Sequence, residues 1–195
     1  MNVAVDQEIG PQLHALGIDP KDVPRVILTH FHTDHAGGLH HFPESEILVQ
    51  GDDYKIAQGF MGKLRGYVPH RWPEWFRPTP IQFDAVPIGP FERSYSVTEA
   101  GDVLVVPTPG HTPGHVSVIV KAEGVSFFLA GDTSYSQSLL LERHPDGVGP
   151  NRTIAIQTID SILEYARTEP TVYLPSHDPQ SVERLQQKQR LKTPT

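Results

Sequence analysis

Apolar and polar positions fall into short blocks, each with a readable period and most of them closed by glycine or proline. Ile9, Leu13 and Leu16 recur at helical spacing and Gly17 follows as a C-cap, which predicts a helix over residues 8–16. The turn Asp19-Pro20-Lys21-Asp22 leads into Val26-Ile27-Leu28, an apolar run rich in β-branched residues that predicts a buried strand within residues 25–29. A short strand at 46–49 and a helix at 52–58 come next. Downstream, residues 81–86, 94–98 and 103–107 read as successive strands, the last two joined through the hairpin turn Glu99-Ala100-Gly101-Asp102. Strands at 116–121 and 125–130 follow. Asn151 is placed to cap a helix running to 166, whose apolar face carries Ala155, Ile159, Ile162, Leu163 and Ala166. A last strand at 171–174 and a helix at 180–188 complete the pattern. Mixed helices and strands of these lengths predict an α/β fold.

Residues 59–80 break the regularity. They are rich in proline, glycine and aromatics, with Phe60, Tyr67, Trp72, Trp75 and Phe76. A long irregular stretch in a compact domain is usually functional. One reading is a lid or pocket wall for an apolar substrate tail; the other is a loop packed on its own aromatics, or a dimer contact.

Composition narrows the classes. The 195 residues suffice for a single domain, 1–195, with a real core. A net charge of −7 argues against a generic nucleic-acid binder. The N-terminal residues carry neither a secretion signal nor a membrane span, so the expected setting is cytoplasmic, with no membrane partner. There is no cysteine, so any metal must be held by nitrogen and oxygen, which suits Zn, Mn, Fe or Co.

Metal is the chemistry that the histidines point to. Directly after the first predicted strand comes Thr29-His30-Phe31-His32-Thr33-Asp34-His35-Ala36-Gly37-Gly38. His30 and His32 stand two apart, and in extended chain that spacing points both side chains the same way. Two such imidazoles can grip one ion at about 2.0–2.1 Å each. Asp34 and His35 are adjacent and need not face that ion, so a second ion is the natural reading. His40 and His41 are expected at the surface.

The run Thr29 to Gly38 resembles the T-H-x-H-x-D-H-x-G-G signature of the metallo-β-lactamase superfamily. Later landmarks match in order: Thr108-Pro109-Gly110-His111-Thr112-Pro113-Gly114-His115, then Ala130-Gly131-Asp132, then Pro175-Ser176-His177-Asp178. Within that superfamily the chain looks most like the N-acyl homoserine lactonase group. The resemblance implies an αββα sandwich, two mixed β-sheets packed face to face with helices outside, N-terminally shortened because strands that the family carries before the first helix are missing. A homodimer would cover the edge this leaves. The resemblance further implies two divalent ions, Zn2+ first among them: His30, His32 and His111 on one, Asp34, His35 and His177 on the other, Asp132 bridging. His115 is expected to be structural or to support a ligand. The implied reaction is hydrolysis of a small-molecule lactone or ester, an N-acyl homoserine lactone first, by water activated between the ions. Tyr135 would stabilise the oxyanion and Asp34 would pass a proton to the leaving alkoxide. Other superfamily activities (glyoxalase-like thioesterase, β-lactamase, phosphodiesterase) and a non-catalytic metal-binding fragment are the alternatives.

Overall fold

In a computed structural model, residues 4–60, 62 and 66–193 are described. The start at Met1 and four positions in the aromatic-rich stretch, 61 and 63–65, lie outside them. The chain divides into two compact units, Met1–Ile81 and Gln82–Thr195, each with its own sheet.

The first unit is built on three parallel strands in the order β1 (Arg25–Ile27), β2 (Glu46–Val49) and β3 (Thr79–Pro80). Parallel strands buried on both faces read as unbroken apolar runs, and Ile47, Leu48 and Val49 are all buried. Parallel pairing also forces a crossover between β1 and β2. That crossover carries the histidine signature, α2 (Thr33–Ala36) and a 3-10 turn at Leu39–His41. Before it stands α1 (Ile9–Ala15), with Gly17 at φ +79° just past its end, as a C-cap glycine should be. Helix α3 (Gly51–Gln58) follows β2. The core of this unit gathers Leu28, Phe31, Ala36, Leu39, Phe42, Ile47, Val49, Ala57, Tyr67 and Phe76.

The aromatic-rich stretch resolves largely in favour of self-packing. Tyr67 and Phe76 are core residues and Trp72 packs against them. Phe60 and Trp75 remain exposed.

The second unit holds a five-stranded sheet in the order β4 (Tyr95–Ser96), β5 (Val103–Pro107), β6 (Val116–Ala122), β7 (Val125–Gly131) and β8 (Thr171–Pro175). Pairing is antiparallel up to β7, whereas β7 and β8 run parallel. Between those two the chain crosses over through α4 (Gln137–Leu141) and α5 (Arg152–Thr168); α6 (Ser181–Gln187) follows β8. The register aligns Leu104, Ile119, Phe128 and Tyr173 in one row across four strands. All four belong to one buried cluster with Ile159, Ile162 and Leu163, the apolar stripe of α5. Asn151 caps that helix by accepting from the N–H groups of Thr153 and Ile154 at 3.0 and 3.2 Å.

One expected strand is corrected. Residues 81–86 form no strand of their own: Ile81 N–H donates to the Val49 carbonyl at 2.8 Å, and beyond it Asp84 pairs with Ser94 in an isolated bridge. Pro80, Pro87 and Pro90 remove ladder donors on either side, which β-strands tolerate only at edges. Helix α4 was not foreseen. Among the described residues no helix is long and apolar enough to cross a membrane.

Candidate metal centre

In the first unit, the extended chain after β1 sorts its side chains by parity. Phe31 turns into the core, where its ring lies 5.1 Å from Trp72 and 5.6 Å from Tyr54. His30 and His32 share the other side, as their spacing requires, and His30 Nε2 stands 3.1 Å from His32 Nδ1. The short helix α2 then brings His35 back to His30, with ring centroids 4.1 Å apart. Asp34 is half exposed, its Oδ2 3.6 Å from His35 Nε2.

Neighbours fix these rings. Thr29 Oγ1 lies 3.1 Å from His30 Nδ1, an orienting contact of the kind that sets an imidazole's tautomer. His32 stacks on Tyr67 at 5.0 Å, and the Thr33 hydroxyl donates to the Gly66 carbonyl at 3.1 Å. The sequence places Tyr67 only among the aromatics of residues 59–80 and Thr29 only at the head of the signature, with no link from either to a histidine. Gly38 serves packing: a Cβ there would come 2.9 Å from Ile9.

In the second unit, Gly131 ends β7 at φ +56° beside a register shift, and so turns Asp132 out of the ladder. The parallel neighbour β8 ends alongside, with Ser176 N–H donating to the Gly131 carbonyl at 3.0 Å. His177 therefore falls next to Asp132, Nε2 to Oδ2 3.1 Å. The same carboxylate oxygen lies 3.5 Å from His111 Nε2. Tyr135 sits edge-on to both rings, with centroids 5.3 Å from His177 and 6.1 Å from His111.

His111 is aimed by close backbone packing. Gly110 has φ +152°, and a Cβ on it would meet the Ala155 Cα at 2.8 Å. From its far side His111 Nδ1 contacts Asp146. Burial pushes the Asp146 carboxyl up. The His111 contact and charge, with the N–H groups of Val148 and Gly149, outweigh that and hold it below its ordinary range. Its only sequence signal is the Asp-Gly-x-Gly turn chemistry.

His115 is structural. Its Nε2 accepts from the Asp132 N–H at 3.0 Å and its Nδ1 meets Thr108 Oγ1 at 2.9 Å, so it braces the turn that presents Asp132. Asp178, next to His177, is tied to Arg184 at 2.6 Å and to the Gln137 N–H at 3.0 Å.

The donor sets suit a metal. Neighbouring ligands on a tetrahedral ion with bonds of about 2.0–2.1 Å stand about 3.3–3.4 Å apart. His30–His32 at 3.1 Å, and Asp132 with His177 and His111 at 3.1 and 3.5 Å, lie close to that spacing. Nitrogen and carboxylate oxygen are the ligands that zinc and its neighbours accept.

Residues 3–177 match the family model of the metallo-beta-lactamase superfamily. The chain belongs to that superfamily. Among curated superfamily relatives, it is 27% identical over 184 residues to the N-acyl homoserine lactonase AttM of Rhizobium radiobacter, which covers 89% of the chain and 65% of the relative. It is 30% identical over 173 residues to an N-acyl homoserine lactonase of a Bacillus species, covering 85% and 60%. A solved N-acyl homoserine lactone hydrolase, with the product N-hexanoyl-L-homoserine at its catalytic metal centre, superposes with TM-score 0.76 at 25% identity, over 93% of this chain and 66% of that one. The dizinc quorum-quenching lactonase AidC shares the fold at TM-score 0.66 and 19% identity, over 88% of this chain and 63% of that one. The metallo-β-lactamase fold class read from sequence is thus confirmed, and the chain spans about 65% of the length of AttM.

Proposed function

We propose that this chain is a dinuclear metal-dependent hydrolase that opens a lactone ring, an N-acyl homoserine lactone first among substrates. The observation that carries the reading is the Asp132 carboxylate at the end of β7, shared by His111 and His177 with Tyr135 beside them. The likeness to lactonases in sequence and structure supports the substrate class.

Following the superfamily's ligand pattern, His30, His32 and His111 would hold one ion and Asp34, His35 and His177 the other, with Asp132 serving both. Two zinc ions are the proposed occupants, and zinc in the dizinc relative supports that choice. When bound, such ions supply Lewis acidity, which makes water nucleophilic near neutral pH and polarises a carbonyl. The chain's own groups do the rest. Tyr135 donates its hydroxyl proton in a hydrogen bond to the carbonyl oxygen as negative charge grows there. Asp34, half exposed, takes up the proton that the attacking water loses and passes it to the alkoxide that leaves when the ring C–O bond breaks. Asp146 holds the His111 ring in place. Phe60 and Trp75 are the exposed aromatics left to meet an acyl chain. A single functional domain, a cytoplasmic setting and pairing of two copies belong to the same reading; β1, an edge strand, supports the last.

The test is metal content by elemental analysis together with pH-stat hydrolysis of short- and long-chain N-acyl homoserine lactones. At least two zinc per chain, with turnover that Asp132→Asn and His177→Ala abolish, is the expected result. Metal without lactone turnover, but with thioester, β-lactam or phosphodiester turnover, would refute the lactone assignment; metal without any turnover would refute the hydrolase.

A further inference from the structure

A second set of metal-type donors lies in the first unit, made of residues outside the signature run Thr29 to Gly38. Glu8, just before α1, reaches the two histidines of the 3-10 turn Leu39–His41. Its Oε2 stands 3.2 Å from His40 Nε2 and 2.8 Å from His41 Nε2. One donor atom from each of the three residues lies within 4.8 Å of the others. The two imidazoles themselves are 4.0 Å apart, centroid to centroid.

The local chemistry sets how these groups face each other. His40 Nδ1 lies 3.2 Å from the Gly37 carbonyl. A carbonyl only accepts, so Nδ1 carries the proton, and in the neutral ring Nε2 presents a lone pair towards the Glu8 carboxylate. Two acceptors at that separation need a metal ion or a further proton between them. His41 is fitted equally closely: a Cβ on Gly10 would come 2.4 Å from His41 Nδ1, so glycine inside α1, despite its cost in a helix, makes room for the ring. The donor separations of 2.8 and 3.2 Å lie near the roughly 3.3–3.4 Å of adjacent ligands on a tetrahedral ion. The side chain of His40 is 55% exposed, so a water can complete the coordination and an ion can enter from solvent.

We propose that Glu8, His40 and His41 form an accessory site for a divalent transition ion of the zinc class, independent of the dinuclear centre. Its occupant ties the entry of α1 to the turn that follows the signature loop. Binding to the native chain alone raises stability by mass action, so the ion acts as a clip on the first unit. A cation supplied only by protons on the two imidazoles is the competing account.

The experiment is equilibrium dialysis of the full chain against buffered Zn2+, with elemental analysis, for the wild type, His40→Gln and Glu8→Gln. Both substitutions are at partly exposed side chains, so folding is retained. The expected result is one zinc fewer per chain in each variant than in the wild type. Added Zn2+ should also raise the Tm of the wild type more than that of His40→Gln, and shift the Nε2 resonances of His40 and His41 in imidazole 15N spectra. Equal zinc content in all three proteins, with unshifted His40 and His41 resonances, overturns the site. The reading is a difference between proteins, so it stands or falls separately from the dinuclear centre: His177→Ala should leave the His40-dependent zinc in place.

Discussion

Asp146 offers the most direct test of how the second unit positions a proposed ligand. Its carboxylate does two jobs: Oδ2 meets His111 Nδ1, and Oδ1 accepts from the N–H groups of Val148 and Gly149 at 3.0 and 3.3 Å. Asparagine keeps an acceptor for the turn but removes the charge behind the imidazole; alanine removes both. Losing the outer partner of a ligating histidine typically costs 10–100-fold in metal affinity, which is about 1.4–2.7 kcal/mol. Each turn hydrogen bond adds on the order of 1 kcal/mol to stability. Asp146→Asn should therefore weaken zinc binding by about tenfold, at the low end of that range, with Tm nearly unchanged. Asp146→Ala should approach the 100-fold end and lose roughly 1–2 kcal/mol of stability as well. Chelator competition measures the first quantity and urea denaturation the second. Wild-type zinc affinity in both variants would refute the orienting role. Equal losses of affinity and stability in both would mean that the turn, not the charge, places His111.

Other consequences follow from the packing. Phe128→Ala removes the centre of the four-strand row and should cost about 3–5 kcal/mol in urea denaturation; less than 1 kcal/mol would mean that the row is not the core. Gly110→Ala puts a Cβ 2.8 Å from Ala155 at φ +152° and should cost at least 1–3 kcal/mol and impair turnover through His111, whereas Gly101→Ala, with nothing within 4 Å, should leave turnover intact. Burial pushes the Tyr173 hydroxyl up to about 12, against hydrogen bonds to Ser134 and Thr133 that pull the other way. Above pH 10 the unfolded chain releases this proton and the folded chain keeps it, so stability falls as pH rises from about 10 to 12, by on the order of 3 kcal/mol in all. In Tyr173→Phe that alkaline loss should be smaller by this amount, read as Tm against pH; an identical alkaline limb would show that the hydroxyl is not held protonated.

What could be read from the chain depended on how local the cause was. A period of two put His30 and His32 on one side and Phe31 on the other, and the contacts obey it. The helix 152–168 announced itself through the Asn151 cap and one apolar stripe. Residues 81–86 misled because their apolar pattern suits a strand, while the flanking prolines that deny it a ladder act through missing donors. Tyr67, Trp72 and Phe76 could equally line a pocket or fill a core, and only tertiary packing chooses. Asp146 and Glu8 were invisible for a different reason. Each acts on a histidine more than thirty positions away, and no spacing rule links such pairs.

The placement of Asp132, His177 and His111 follows from strand direction more than from any motif. β7 and β8 run parallel, so their C-terminal ends lie side by side and deliver Asp132 and His177 together. β6 runs antiparallel to both β5 and β7, and Pro107 pairs with Val116 while Val118 pairs with Leu129. The C-terminal end of β5 therefore reaches the same end of the sheet, and the loop after it carries His111. The opposite end holds the turns Glu99–Asp102 and Glu123-Gly124 and the short entry from α5 into β8 at Glu169-Pro170. One end of this sheet is thus free to gather polar groups that add little to folding, while the buried row Leu104, Ile119, Phe128 and Tyr173 keeps the strands in register behind them. Loop glycines can then fit the proposed ligands closely without weakening a strand, and this is why the chain can concentrate histidine and aspartate there and still fold.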